Sequence, residues 1–282
     1  MSVRIIVDST ADINKTVKDK FLIVPLTVTF GDKEFIDGVT IDHRKFYEML
    51  IESDDMPTTS QPTPDAFAKV YKEVADAGDT AVVLTISSKL SGTYQSAVIA
   101  SEGYEDKIFI VDSQTAATAL GVLAEYALEL AQSGKTAQEI VQCITKERED
   151  VHLLAMLDTL EYLKKGGRIS KTAAFAGGLL SIKPVISIKG GEIVIVGKAR
   201  GSKQANNLLA NEINSAGGAD FSKPIMLGYA GIGDELLKKY IEDSAALWAN
   251  DADDLPYTRL GSVIGTHTGP GTIAVAFFKK TQ

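Results

Sequence analysis

Apolar residues in the first half of the chain fall into short runs, each followed by a longer helical pattern. The runs at residues 5–7, 81–86 and 108–111 have the length and composition of buried strands. A polar loop and then a stretch with a helical apolar spacing follow each run. This alternation favours a parallel sheet covered by helices.

Two helices of this half carry clear start signals. Thr63 is placed to cap a helix that has Pro64 at its first position. Thr136 and Glu139 have the spacing of a capping box at the start of a later helix. Both signals agree with the alternation of strands and helices.

The pattern changes after residue 150. Apolar runs at residues 182–188 and 192–196 flank Gly190 and Gly191, which predicts a hairpin. Pro184 inside the first run indicates an edge strand or an irregular one. Further helices are predicted at residues 202–216 and 235–248, and further strands at residues 224–229 and 272–278. We therefore predict an α/β protein of two domains, with a parallel sheet in residues 1–152 and a mixed α/β domain in residues 153–282.

Composition and charge exclude several classes of function. The chain has 282 residues, of which 45% are hydrophobic and 23% charged, and its net charge is −8. Without long basic runs, neither a nucleic-acid surface nor a basic membrane-bound helix is expected. The longest apolar run, residues 21–30, contains Pro25 and suits a strand better than an integral membrane segment. With a single cysteine and no signal-peptide pattern at the start, we expect a cytoplasmic protein.

Hydroxyl and acidic residues follow several predicted strands. They occur at residues 8–10, 87–93 and 112–115, and residues 58–62 precede the Pro64 helix in the same way. Ligands of open α/β sheets bind beyond the carboxyl ends of the strands, and hydroxyls and helix N-termini are neutral donors for an anion. The alternative is that these residues only cap helices, since Ser, Thr and Asp favour those positions.

Two further groups of residues could contribute chemistry. His267 lies within a glycine-rich segment, residues 265–271, where it could bond an anion or could simply belong to a turn before the final strand. Arg168 and Arg200 lie beside glycines, where a guanidinium can reach a phosphate or a partner's carboxylate. His43 is expected on a helix surface and His152 at the start of a strand. We expect no metal site, because the chain has no paired cysteines and no metal-binding histidine pattern.

Seven short segments together resemble the DegV family, which includes the fatty-acid-binding subunit of bacterial fatty acid kinase. The segments are VDSTAD at 7–12, TSQP at 59–62, SSKLSGTY at 87–94, VDS at 111–113, KGGRIS at 165–170, KP at 183–184 and HTGPG at 267–271. The resemblance covers essentially the whole chain. It implies a two-domain α/β fold that buries a long-chain fatty acid, such as palmitate or oleate, between or beneath the domains.

The resemblance also implies the roles of particular residues. The carboxylate would be bound by hydroxyls and a histidine, from the set Thr59, Ser60, Ser91, Gly92, Thr266 and His267. A separate ATP-dependent kinase would phosphorylate the bound acid for phospholipid synthesis. From their glycine-flanked positions, we expect Arg168 and Arg200 to contact this kinase or its ATP. The chain itself would hold no catalytic residue and no cofactor, in agreement with the missing P-loop sequence.

Two other functions stay open on the sequence. One is an esterase or thioesterase with Ser91 as nucleophile, His267 as base, and Asp8 or Asp112 as the residue that orients the histidine. It lacks the Gly-x-Ser-x-Gly segment that usually carries such a serine. The other is a module that binds a different amphiphilic acid or a phosphorylated metabolite.

Overall fold

The computed structural model describes residues 2–53, 55–169, 182–248 and 254–280. In chain order the strands are β1 (Val3–Asp8), β2 (Phe21–Val24), β3 (Thr27–Phe30), β4 (Lys33–Ile36), β5 (Thr58–Ser60), β6 (Thr80–Thr85), β7 (Ile108–Asp112), β8 (Val151–Met156), β9 (Ile182–Lys189), β10 (Glu192–Arg200), β11 (Ile225–Tyr229), β12 (Tyr257–Arg259) and β13 (Ile273–Phe278). The α-helices are α1 (His43–Glu52), α2 (Pro64–Asp76), α3 (Thr93–Ala100), α4 (Ala117–Gln132), α5 (Ala137–Glu147), α6 (Glu161–Lys165), α7 (Gly201–Ser215), α8 (Glu235–Asp243) and α9 (Ser262–Thr268). Ser170, the last residue of the KGGRIS segment, lies outside the described residues.

The first half forms the predicted parallel sheet, in the order β2-β1-β6-β7. Successive side chains of β1 point to opposite faces. Ile6 packs in the core with α2 and α3, and Ile5 and Val7 pack in the core that contains α4 and α5. A parallel sheet covered by helices is thus confirmed.

Pro25 divides the apolar run of residues 21–30 between two sheets. β2 ends at Val24 and joins the parallel sheet, whereas β3 begins at Thr27 and forms an antiparallel sheet in the order β4-β3-β5. The expected single strand is therefore wrong. The small sheet matters for the site, because β5 carries Thr59.

The second half forms a mixed sheet in the order β10-β9-β8-β13-β11-β12, in which only β11 and β12 pair in parallel. The hairpin of β9 and β10 turns at Gly190 and Gly191, as predicted. β9 is an interior strand, so the prediction of an edge position for Pro184 is wrong. Pro184 is tolerated because β8 has already ended beside it, and the Pro184 carbonyl still accepts from the Leu157 amide.

The helix starts follow the sequence signals, but two other predictions need correction. Thr63 accepts from the Ala66 amide, and Thr136 forms its capping box with Glu139. The helix predicted over residues 235–248 ends at Asp243, and a single 3-10 turn follows before the buried Trp248. His43 is not on a free helix surface, since its Nε2 lies 3.6 Å from the buried carboxylate of Asp37.

Helix α4 lies between the two large sheets and contacts strands of both. Its residues are buried on nearly all sides, in keeping with an alanine- and leucine-rich sequence. One continuous apolar core, which includes Ile5 of β1 and Phe278 of β13, therefore connects the two sheets. The division of the chain into domains at residue 152 stays a prediction. No helix within the described residues is both long and apolar enough to cross a bilayer.

Candidate functional site

An apolar cavity lies between the mixed sheet and the first half of the chain. The space between its atoms amounts to about 590 Å³, part of which is open to solvent. Alternate residues of four strands point into it, because side chains on a strand repeat every two positions. These sheet residues are Leu153, Ala155, Ile186, Ile188, Ile193 and Ala274.

Alanines create much of the space in this cavity. Ala155 of β8 is the register partner of Ala274 of β13, so two small side chains lie side by side in the sheet wall. Ala116 and Ala117, at the start of α4, line the opposite wall together with Leu260 and Ile264. Longer side chains at these four positions would occupy the cavity themselves.

His267 is one of the polar residues that line the cavity, and it also contacts Thr59. The Thr59 hydroxyl lies 2.9 Å from Nε2 of His267. His267 is the penultimate residue of α9, so the glycine-rich loop expected here is helical up to Thr268. The turn before the last strand consists only of the following residues, from Gly269 to Gly271.

The imidazole of His267 is largely shielded from water. Burial, and secondarily the charge of Arg168, lowers the pKa of His267 to about 4. Nδ1 is buried and has no hydrogen-bond partner among the described residues. Gly166 is packed so closely against this nitrogen that a Cβ there would lie 2.3 Å from it. His267 is thus a neutral ring at physiological pH, held between Thr59 and Gly166.

The two arginines differ in their surroundings. Arg168 lines the cavity, and its guanidinium donates to the carbonyls of Leu90 (3.2 Å) and Gly166 (2.7 Å). Arg200 is exposed at the end of β10. β8 and β10 run in the same direction, so α6 and Arg168, which follow β8, lie toward the same edge of the sheet as Arg200.

The remaining predicted headgroup residues are not equally placed. Ser91 is half-buried, and its hydroxyl pairs with that of Thr93 at 2.9 Å. Gly92 allows close approach of Gln61, whose Oε1 would lie 2.0 Å from a Cβ at that position. Ser60 is exposed on β5. Thr266 is fully buried and donates to the carbonyl of Ser262, so its hydroxyl proton is already used.

Most of the other hydroxyl and acidic groups after the strands hold loops together. Asp8 accepts from the Thr10 and Ile86 amides, and Asp112 accepts from the hydroxyl of Ser88. Ser87 donates to the carbonyl of Gly191 at the hairpin tip. These groups join loops to one another, and among the described residues no side chain caps α3 or α4, so helix capping is the wrong explanation for them.

Comparison with known proteins decides the family. The DegV family model matches residues 2–280. A DegV domain-containing protein from Clostridium acetobutylicum is 37% identical over 283 residues, which cover 99% of both chains. This chain belongs to the DegV family. The resemblance seen in the sequence is thereby confirmed, together with the fold class.

Solved DegV structures match over nearly the full length. A fatty-acid-binding DegV family protein from Thermus thermophilus has a TM-score of 0.85 and 31% identity, covering 99% of this chain and 100% of that chain. The Fatty Acid Kinase (Fak) B3 protein of Streptococcus pneumoniae, loaded with linoleic acid, has a TM-score of 0.86 and 25% identity with the same coverages.

The arrangement required of an esterase is not assembled in this DegV chain. Within the described residues His267 bonds the hydroxyl of Thr59, and Ser91 bonds that of Thr93. The two candidate orienting carboxylates have other partners: Asp8 accepts from Thr10 and Ile86, and Asp112 accepts from Ser88. The hydroxyl–imidazole pair of this DegV protein is thus not oriented by a carboxylate.

Sequence reasoning missed most of the DegV cavity wall. The alanines that create the space carry no chemical signal, and only the alternation along β8 and β13 could have suggested that Ala155 and Ala274 face inward. Thr268 and Thr272 also line the cavity, where their hydroxyls donate to backbone carbonyls. These two residues therefore add little polarity to the wall.

Proposed function

We propose that this protein binds one long-chain fatty acid, such as palmitate or oleate, in the cavity and presents its carboxylate to a separate ATP-dependent kinase. The observation that carries the proposal is a cavity with apolar walls whose lining includes His267, which contacts the Thr59 hydroxyl. An acyl chain would lie against the walls, and the carboxylate would lie at a polar end formed by His267, Thr59 and Ser91.

The apolar walls can supply the affinity. Burying about 14 methylenes at about 0.8 kcal/mol each contributes roughly 11 kcal/mol, from which the cost of ordering the ligand is subtracted. The polar end then needs only to satisfy and orient the carboxylate, because a buried charge without partners is costly.

The protonation state of His267 suits this role. In a buried site, an N–H donor without an acceptor costs more than an acceptor nitrogen without a donor. Because Nδ1 has no partner, the tautomer with its proton on Nε2 is favoured. Nε2–H then donates to the Thr59 oxygen, which leaves the Thr59 hydroxyl proton for a carboxylate. Neutral donors hold the carboxylate without the charge pairing that would weaken its attack on a phosphate.

The proposed transfer forms one bond to phosphorus and breaks another. A carboxylate oxygen attacks the γ-phosphorus of ATP bound to the kinase, the bond from that phosphorus to the β-bridging oxygen breaks, and ADP leaves. The product is an acyl phosphate. This chain would supply no catalytic residue to the step and would only position the acid.

The first experiment tests ligand binding. We expect native mass spectrometry of the purified protein to show a bound fatty acid. After lipid removal, Ala155→Leu should weaken palmitate binding by about tenfold or more, because the added carbons occupy mid-cavity space. Octanoate should bind the variant and the wild type alike. The control Ala68→Leu, on the half-exposed face of α2, should bind palmitate normally. Wild-type protein that gains no mass with palmitate would refute the proposal.

The second experiment tests presentation to the kinase. Arg200 is exposed at the edge of the sheet toward which Arg168 also lies, so we propose that both arginines contact the kinase or its ATP. Arg200→Ala should retain palmitate and its melting temperature but form acyl phosphate at least about tenfold more slowly with kinase and ATP. Lys72→Ala, which removes an equal charge from α2, is the control.

Arg168→Ala should in addition lower the melting temperature, since Arg168 bonds two carbonyls. Normal transfer by the Arg200 variant would remove this residue from the interface.

A further inference from the structure

Helix α9 lies along the cavity wall and carries His267 in its last turn. Gly261, which precedes the helix, has no side chain to cap the free amides. A helix of seven residues is not stable by itself, so the position of α9 depends on contacts with other parts of the chain.

Two buried carboxylates from the first half bind the start of this helix. Asp12 Oδ1 accepts from the Gly261 amide at 2.7 Å, and Asp37 Oδ1 accepts from the Ser262 amide at 3.2 Å. Their side chains come from segments 249 and 225 residues away. Asp12 and Asp37 are 4% and 2% exposed, so water does not replace these bonds.

The backbone of each of these two aspartates is held in place by a hydrogen bond. The Asp12 amide donates to the carbonyl of Ala117, a residue of the cavity wall, and the Asp37 amide donates to that of Leu26. A short chain of bonds therefore runs from the cavity wall through Asp12 to α9. Burial raises the pKa of Asp12 well above its usual range, so its contact with α9 is carried by the hydrogen bond to Gly261 and not by charge.

The rest of α9 has little freedom to compensate for a shift. A Cβ on Gly265 would lie 2.6 Å from both Phe46 and Tyr47, so the helix is packed tightly against α1. His267, two residues further on, is held at 2.9 Å from Thr59. A small displacement at the start of α9 would thus be transmitted to the imidazole.

We propose that Asp12 and Asp37 are positioning residues for the headgroup site, acting through α9 on His267. The inference rests on the proposed function, since it assigns these carboxylates a part in recognition of the fatty-acid carboxylate. Neither residue touches the cavity end at which the carboxylate would bind.

The test compares palmitate with hexadecanol, which has the same tail and no carboxylate. In the wild type, palmitate should bind more tightly. Asp12→Ala should reduce this preference by about tenfold, because the headgroup donor is displaced, whereas a change at Leu260 or Ile264 affects the tails of both ligands equally. Asp12→Asn retains the acceptor for Gly261 and should keep the preference within about threefold. Asp37→Ala and Asp37→Asn should show the same contrast.

A double-mutant cycle separates positioning from stability. In a His267→Ala background, Asp12→Ala should have no further effect on the preference, because the group it positions is gone. An additive loss, an unchanged preference in the single variants, or failure of both alanine variants to fold would overturn the inference. If the wild type itself does not prefer palmitate, it is the proposed headgroup function that fails.

Discussion

At the scale of single residues, the hydrogen-bond partners of Thr59 and His267 distinguish this pair from a catalytic one. No carboxylate orients the imidazole within the described residues, and its second nitrogen has no partner there. A serine hydrolase needs the opposite arrangement, in which an acid stabilises a charged imidazole. The environment of His267 keeps the ring neutral, so in the ligand-free protein it contributes a hydrogen bond to Thr59 without a charge.

The pKa of His267 gives a prediction for stability against pH. Its folded value of about 4 lies below the ordinary 6.5, so the unfolded chain takes up a proton first as the pH falls. The free energy of unfolding therefore keeps its full value above about pH 6.5. Protonation of His267 lowers it by up to about 3 kcal/mol between there and pH 4. Urea unfolding measures the free energy of unfolding of the ligand-free wild type and of His267→Gln. The difference between these two free energies should shrink as the pH falls.

The variant comparison is needed because other groups titrate in the opposite sense. Burial raises the pKa of Asp8 to about 6, so its contribution is largest at low pH and declines as the pH rises from about 4 to 6. This contribution is present in both proteins and cancels in the difference. A His267 imidazole titrating near 6.5 by NMR in the ligand-free protein would contradict the prediction.

The sequence could point to these residues but not to their bond. Thr59 and His267 belong to segments that resemble the DegV family, yet no spacing predicts contact across 208 residues. Thr266 lies in a helix and not in the loop that the glycines indicated. In a helix its hydroxyl can reach the carbonyl four residues back, as it does at Ser262.

At the scale of elements, the hairpin of β9 and β10 closes one side of the cavity. Ile188 and Ile193 flank its turn and line the cavity beside Ile86 and Leu90. The hairpin tip is bound to the loop after β6, because the Ser87 hydroxyl donates to the Gly191 carbonyl at 2.7 Å. The turn chemistry predicted this hairpin, but it contained no sign of where the tip would bind.

We predict that this contact slows the release of the fatty acid. Ser87→Ala removes a buried hydrogen bond worth about 0.5–1.5 kcal/mol, so the dissociation rate of palmitate should rise about two- to tenfold. Stopped-flow transfer to an acceptor protein measures this rate. Lys89→Met, which breaks only an exposed ion pair with Glu192, should have little effect. So should Ser101→Ala, a control on an exposed hydroxyl. An unchanged rate in Ser87→Ala would show that the acid does not leave past the hairpin.

At the scale of the whole molecule, local patterns predicted the elements but not their arrangement. The parallel sheet and the hairpin follow from short-range signals and are confirmed. The order of the mixed sheet depends on β13, which pairs with β8 and β11 across long stretches of sequence. The cavity forms where these distant segments meet, so it could not be read from periodicity. The assignment of Thr59, Ser60, Ser91, Gly92, Thr266 and His267 to the carboxylate stays a prediction.

The central place of β13 has a consequence for the order of events during synthesis. β8, β9 and β10 are made well before β13, and until residues 273–278 leave the ribosome one edge of β8 has no partner. At about 5–20 residues per second, that edge and the apolar face beside it stay uncovered for several seconds or more. An uncovered strand edge invites pairing with other chains. We therefore expect the nascent chain to depend on chaperones at this stage, and a fatty acid to enter only a finished molecule.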